Sequence, residues 1–185
     1  MKNGQSIVGF GRDRAIEDFY PTPPEATEAL FRFEKFEGNV WECASGKGDM
    51  SKIIEKYNTC ISSDLRMDES IYGEKGINFL KDYKTSIENV ITNPPYKLAK
   101  EFVLTAKLLA KKKIAMLMKL VFLEGISRYD MFKDKEFPLK AVYVFCRRPT
   151  IFKESYKGNN SGLIAFAWFV WDKSYVGKPY IDWIK

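Results

Sequence analysis

The chain has 185 residues, 45% of them apolar and 15% aromatic, which is enough for one compact domain, expected over residues 1–185, with a substantial core. Its 30 Lys and Arg outnumber 24 Asp and Glu, for a formal net charge of +6, and this balance favours an anionic partner such as nucleic acid. There is no histidine, so His-based acid–base catalysis and His-ligated metals are excluded, and no apolar run approaches the roughly 20 residues that span a bilayer.

No basic start followed by an apolar run marks an export signal, so a cytoplasmic protein without a membrane or metal partner is expected. The three cysteines, Cys43, Cys60 and Cys146, are widely spaced in apolar segments and are expected to be buried free thiols.

Residues 1–16 are polar, basic and aperiodic, and read as a mobile arm. In Asp18-Phe19-Tyr20-Pro21-Thr22-Pro23-Pro24-Glu25, Thr22 and Glu25 form a capping-box pattern with Pro23 at the first helical position, predicting a helix to about Phe33. That role leaves Asp18 to Pro21 without an explanation. A first strand over residues 39–43 leads into Ala44-Ser45-Gly46-Lys47-Gly48-Asp49, and Met50, Ile53, Ile54 and Tyr57 then recur at helical spacing.

Strand, glycine loop and helix in succession are how α/β folds bring backbone N–H groups close to a ligand. Glu42 at the strand's end has the wrong charge for a phosphate and suits an ammonium or sulfonium group instead. A second strand over 59–63 ends at Asp64, about 20 residues past the glycine loop, where an acidic side chain commonly takes ribose hydroxyls. Asp64 could equally be a loop cap.

Residues 76–80, which include Asn78 and Phe79, predict a short third strand, and residues 89–92 a fourth. The fourth ends in Asn93-Pro94-Pro95-Tyr96. Two prolines forbid helix and central strand, so this tetrapeptide is a rigid corner. Asn93 offers an acceptor, Pro94 a carbonyl and Tyr96 a flat face, a set that suits a planar ring carrying an NH2; a plain turn with Tyr96 in the core fits the same four residues.

Leu98, Phe102, Thr105 and Leu109 share one helix face, with Lys111, Lys112 and Lys113 expected at that helix's C-terminus. Residues 114–120 read as a buried central strand. Residues 121–137, with Arg128, and 147–162, with Arg148, Phe152 and Lys153, read as loops facing a substrate, since basic side chains interleaved with aromatics suit nucleic acid. Strands over 141–146 and 163–171 flank the second loop. Strands alternating with helices argue for an α/β fold with a mostly parallel sheet.

The order Asp-Phe-Tyr-Pro-Thr-Pro, then Trp41-Glu42-Cys43-Ala44-Ser45-Gly46-Lys47-Gly48, then Asp64, then Asn93-Pro94-Pro95-Tyr96 resembles the S-adenosylmethionine-dependent DNA adenine-N6 methyltransferases, in their gamma-like motif order. Phe122-Leu123-Glu124-Gly125 with Arg128, and Arg148-Pro149-Thr150-Ile151-Phe152, resemble the small stand-alone members carried by phages and mobile elements.

The resemblance implies a Rossmann-like class I methyltransferase fold: a seven-stranded, mostly parallel sheet with an antiparallel final hairpin and helices on both faces. It implies S-adenosyl-L-methionine as cofactor, DNA as partner, and activity at the nucleoid of a bacterial or phage-infected cell. Tyr20, Pro21, Thr22 and Pro23, with Glu42, Cys43, Ala44, Ser45, Gly46 and Gly48, would hold the methionine part. Asp64 with Leu65 would hold the ribose, and Asn78 with Phe79 the adenine; Asn78 stands where the family usually has Asp. Asn93, Pro94, Pro95 and Tyr96 would be catalytic, with Asn93 also beside the cofactor. Tyr96, Arg128, Arg148, Phe152 and Lys153 would meet the substrate.

Three other readings fit part of this pattern. RNA adenine and a protein glutamine amide present the same planar NH2, and a binding module without catalysis would keep the cleft alone.

Overall fold

The computed structural model describes residues 21–82, 87–149, 151 and 164–185. The arm expected over 1–16, together with Tyr20, Phe152 and Lys153, lies outside them. The strands are β1 (Val40–Glu42), β2 (Cys60–Asp64), β3 (Glu74–Lys75), β4 (Ile87–Thr92), β5 (Ala110–Lys119), β6 (Leu139–Phe145), β7 (Phe166–Asp172) and β8 (Tyr180–Ile184). The helices are α1 (Pro24–Phe33), α2 (Ser51–Ile54), α3 (Ala99–Leu109) and α4 (Tyr129–Lys133).

The sheet runs in the order β3-β2-β1-β4-β5-β7-β6-β8. β1 through β5 are mutually parallel, β7 is antiparallel to both β5 and β6, and β8 is parallel to β6. The chain works outward from β1 to β3 and returns to β4 on the other side of β1, which opens a crevice at the carboxyl ends of β1 and β4. Glu42 ends β1, and Asn93 follows Thr92, the last residue of β4.

Burial explains the two central strands. Ile114 to Met118 of β5 and all of β7 are shielded on both faces, so their apolar runs are continuous rather than alternating. On one face, Ala26, Ala29 and Leu30 of α1 pack with Leu117, Tyr143 and Trp168, and the Trp168 indole donates to the Ala26 carbonyl at 2.8 Å. On the other, Phe102, Val103 and Ala106 of α3 pack with Met116, Phe169 and Trp171.

Several expectations are corrected. The sheet has eight strands rather than seven, because residues 180–184 add an edge to β6. The third strand is Glu74–Lys75, and Asn78 to Asp82 form a turn with Lys81 and Asp82 N–H groups on the Asn78 carbonyl. Lys111, Lys112 and Lys113 lie in β5, since the helix stops at Leu109. Thr22 does not cap α1: the residue before the helix is Pro23, and no side chain bonds the first turn. All three thiols are free, yet only Cys43 is buried; Cys60 is half-buried and Cys146 is exposed at the end of β6.

At the opposite end of the sheet from the crevice, a buried carboxylate fastens helix to strands. Glu34, next after α1, accepts from Lys113 at 2.7 Å, Lys140 at 2.7 Å and the Tyr143 hydroxyl at 2.7 Å. Asp172 is the more distant acceptor for both lysines, at 3.4 and 4.0 Å. Removing a buried charge from such a set strands its partners, which costs more than the set contributes while intact. Glu34→Ala is expected to lose about 3–5 kcal/mol in chemical denaturation, whereas Lys112→Ala, whose pair with Glu37 is exposed, is expected to change stability by less than about 1 kcal/mol.

Candidate functional site

The crevice is a cleft of about 1090 Å³, measured out to its open mouth. Its floor is acidic. Glu42 is 1% exposed, and its Oε1 accepts from the Ala44 N–H at 3.0 Å and from the Thr92 hydroxyl at 2.6 Å. The second bond ties the end of β1 to the end of β4 directly beneath Asn93. Burial of its carboxyl pushes Glu42 up to about 8, with the nearby Asp64 charge adding to the rise against the two hydrogen bonds. In the empty cleft Glu42 is therefore mainly protonated at neutral pH.

The glycine loop after β1 spends its donors on the protein. Ser45 N–H bonds the Ser63 carbonyl at 3.0 Å, Gly46 N–H bonds Asp64 Oδ2 at 2.9 Å and Gly48 N–H bonds the Ser45 carbonyl at 2.8 Å. A loop so committed is no phosphate cradle. Gly48, at φ +84°, is required for another reason: a Cβ there would stand 2.5 Å from the Tyr72 ring. Tyr72 in turn closes the loop, its carbonyl accepting from the Ser45 hydroxyl at 2.7 Å.

Asp64 is held by Arg66, which reaches Oδ1 through Nε at 3.1 Å and Oδ2 through Nη2 at 3.2 Å. The Arg66 N–H also bonds Oδ1 at 2.9 Å, so with the bond from Gly46 the carboxylate's roughly four acceptor positions are taken, and a ligand hydroxyl would have to displace one of these donors. Further out the walls turn apolar, with Leu65, Ile77, Phe79, Leu80 and Phe102. Phe79 is fixed between Trp41 and Phe102, with ring centroids 5.1 and 5.0 Å away. Asn78 Oδ1 accepts from the Leu80 N–H at 3.0 Å. The cleft thus suits a ligand that is cationic at one end and planar at the other.

Across the cleft stands the proline corner. Asn93 Nδ2 donates to Thr22 Oγ1 at 3.1 Å, which holds the amide in place. Pro94 is buried, Pro95 is half-buried at the entrance to a short 3-10 turn, and Tyr96 lies in that turn with Phe166 at 5.6 Å and the Lys119 ammonium 4.6 Å from its ring centroid.

Of the residues singled out in the sequence, Thr22, Glu42, Cys43, Ala44 and Ser45 line the cleft, as do Asp64, Leu65, Asn78, Phe79 and the whole corner from Asn93 to Tyr96. Gly46 and Gly48 shape it without lining it, and Pro21 and Pro23 flank Thr22. Arg128 folds onto its own loop: Nε donates to the Phe122 carbonyl at 2.9 Å, Nη2 donates to the Glu124 carbonyl, and the guanidinium covers the Phe122 ring at 4.9 Å. Arg148 is exposed just past β6. Sequence reasoning passed over Asp49, Arg66 and Lys119. Arg66, two residues beyond an acidic strand end, carried a usable signal, and the other two did not.

No family model and no curated protein matches the chain. Solved structures do. A candidate RNA methyltransferase from Pyrococcus horikoshii is 16% identical over 91% of this chain and 93% of its own, with a TM-score of 0.66. A candidate class I S-adenosylmethionine-dependent methyltransferase from Listeria monocytogenes is 11% identical over 86% and 63%, with a TM-score of 0.60. The fold is that of the class I methyltransferases. The modification subunit of a candidate type I restriction enzyme from Vibrio vulnificus is 15% identical over 91% of this chain but 48% of its own, with a TM-score of 0.60. Among the described residues no helix is long and apolar enough to cross a membrane, and no group of three or more acidic or cysteine side chains forms a metal site.

The raised Glu42 has a consequence for stability. Its value in the folded chain lies above the ordinary 4.5, so the folded state holds a proton that the unfolded state releases. That contribution is complete below about pH 4.5 and is lost as pH rises through about 8. The ligand-free protein is expected to melt at falling temperature from about pH 4.5 to about 8, levelling off above, and Glu42→Gln to flatten this dependence in scanning calorimetry.

Proposed function

We propose that the chain transfers a methyl group from S-adenosyl-L-methionine to the exocyclic N6 amine of adenine in DNA. The observation that carries this reading is the junction of the two halves of the cleft, where Thr92 bonds the buried Glu42 carboxyl and the adjacent Asn93 is set by Thr22.

The donor set fits the cofactor. A cationic group beside Glu42 meets an acidic, desolvated floor on which the loop's N–H groups already point at acceptors. Tyr20, Pro21, Thr22 and Pro23, with Glu42, Cys43 and Ala44 and the loop residues Ser45, Gly46 and Gly48, hold the methionine end. Asp64 with Leu65 takes the ribose, and Asn78 with Phe79 takes the cofactor's adenine. The cofactor supplies a methyl group activated by its sulfonium, which becomes a neutral thioether as the N–C bond forms, while the methylated amine returns to neutrality by releasing one proton.

The chain's own residues do the rest. Adenine N6 has its lone pair delocalised into the ring. Hydrogen bonds accepted from that amine by Asn93 Oδ1 and the Pro94 carbonyl draw the nitrogen towards tetrahedral geometry and expose the lone pair. Pro95 keeps the corner rigid, and Tyr96 stacks on the base. A base within a duplex must be flipped out to reach this position, at a cost of a few kcal/mol recovered by stacking and backbone contacts. Arg128, Arg148, Phe152 and Lys153 are assigned to the substrate side, with Phe152 as second stacking face and Arg128 acting through the loop it braces.

Labelled S-adenosylmethionine offered with duplex DNA, single-stranded DNA, RNA or a protein lysate, followed by digestion to the modified unit, tests the reading. Label in 6-methyladenine from DNA is expected; label confined to RNA or to glutamine would contradict it. Asn93→Ala should lower kcat by about 10²–10³. Thr22→Val should lower it by about tenfold while Thr22→Ser retains activity, because only the hydroxyl's hold on the Asn93 amide is at stake.

A further inference from the structure

Lys119 closes β5 at its carboxyl end, paired with Phe166 of β7. It shares the sheet face of Ala115 and Leu117, the face against which Tyr96 also packs. Its side chain is half-buried. Four other half-buried lysines reach carboxylates, Lys75 meeting Glu69, Lys107 meeting Asp134, and Lys113 and Lys140 meeting Glu34, whereas Lys100, on α3, meets none among the described residues. Among the described residues Lys119 makes no ion pair or hydrogen bond, and its ammonium rests over the Tyr96 ring.

An ammonium over the Tyr96 ring competes with the stacking that the proposed function assigns to that ring. It also opposes methyl transfer, since the accepting amine becomes cationic before it releases its proton. Attraction of an ammonium to a ring at a partly exposed site is weaker than a charge-assisted bond to phosphate. A polyanion arriving at this end of the sheet, where Arg147 and Arg148 also follow β6, would draw the ammonium off the ring. Free adenosine or a glutamine side chain has no phosphate with which to do so.

We propose that Lys119 is a positioning residue that couples a backbone phosphate to the exposure of Tyr96, so that the methyl acceptor is an adenine within a polynucleotide rather than a free nucleoside. This inference rests on the adenine-N6 reading above.

The test compares wild type, Lys119→Arg and Lys119→Gln with a short adenine-containing oligodeoxynucleotide and with adenosine, separating kcat from KM over about 50–200 mM salt. Wild type should strongly prefer the oligonucleotide. Lys119→Gln should lose about tenfold in kcat/KM on the oligonucleotide, turn over adenosine faster than wild type, and show a salt slope shallower by about 0.7–0.9. Lys119→Arg should keep the preference. Equal losses on both substrates with an unchanged salt slope would make Lys119 merely structural and overturn the inference, as would a wild type that uses adenosine as well as the oligonucleotide. A wild type that forms no 6-methyladenine on either would overturn the underlying reading and this inference together.

Discussion

Taking a carboxyl group out of water at the end of β1 is costly, and the structure accepts that cost at Glu42 while offering it, among the described residues, two donors, both on one oxygen. Much of the site is arranged around this. Thr92 brings the end of β4 against the carboxyl, and the glycine loop turns its own N–H groups onto Glu42, Asp64 and the Ser45 and Ser63 carbonyls. Burial pushes the carboxyl up to about 8, and in the reading proposed above it regains its charge when a cation arrives.

The two ends of the sheet treat charge in opposite ways. At the end where α1 stops, Glu34 is surrounded by Lys113, Lys140 and Tyr143, a set that fixes one helix to two strands, β5 and β6. At the carboxyl ends of β1, β4 and β5, the groups are deliberately under-partnered: Glu42 holds a proton in place of a counter-ion, and Lys119 rests on a ring in place of a carboxylate. Rigidity is concentrated away from the chemistry, and the capacity to bind is left where the strands point.

The parts of the fold legible in the sequence were those set by burial and by backbone stiffness. Ile114 to Met118 of β5 and most of β7 showed as unbroken apolar runs, and Asn93-Pro94-Pro95-Tyr96 declared a corner because two prolines permit little else. β8 was hidden because Tyr180, Ile181 and Trp183 are exposed on an edge strand and give no alternation to read. The lysine run 111–113 imitated a helix terminus, while it lies in β5, where Lys112 and Lys113 meet Glu37 and Glu34, more than 70 positions earlier. Thr22 shows the same limit at the site. Its local pattern is a helix cap, and its actual partner is Asn93, 71 residues on. Asp64 was visible as an acidic strand end, and Arg66 two residues on was the local signal for its partner.

The central claim, that an acidic floor built on Glu42 receives the cationic end of S-adenosylmethionine, is tested most directly by calorimetric titration of the cofactor near pH 7 in buffers of different ionisation heat, for wild type and Glu42→Gln. The account predicts that wild type binds with release of up to about one proton more than the variant, and more tightly. Equal proton balance and equal affinity in the two proteins would contradict it.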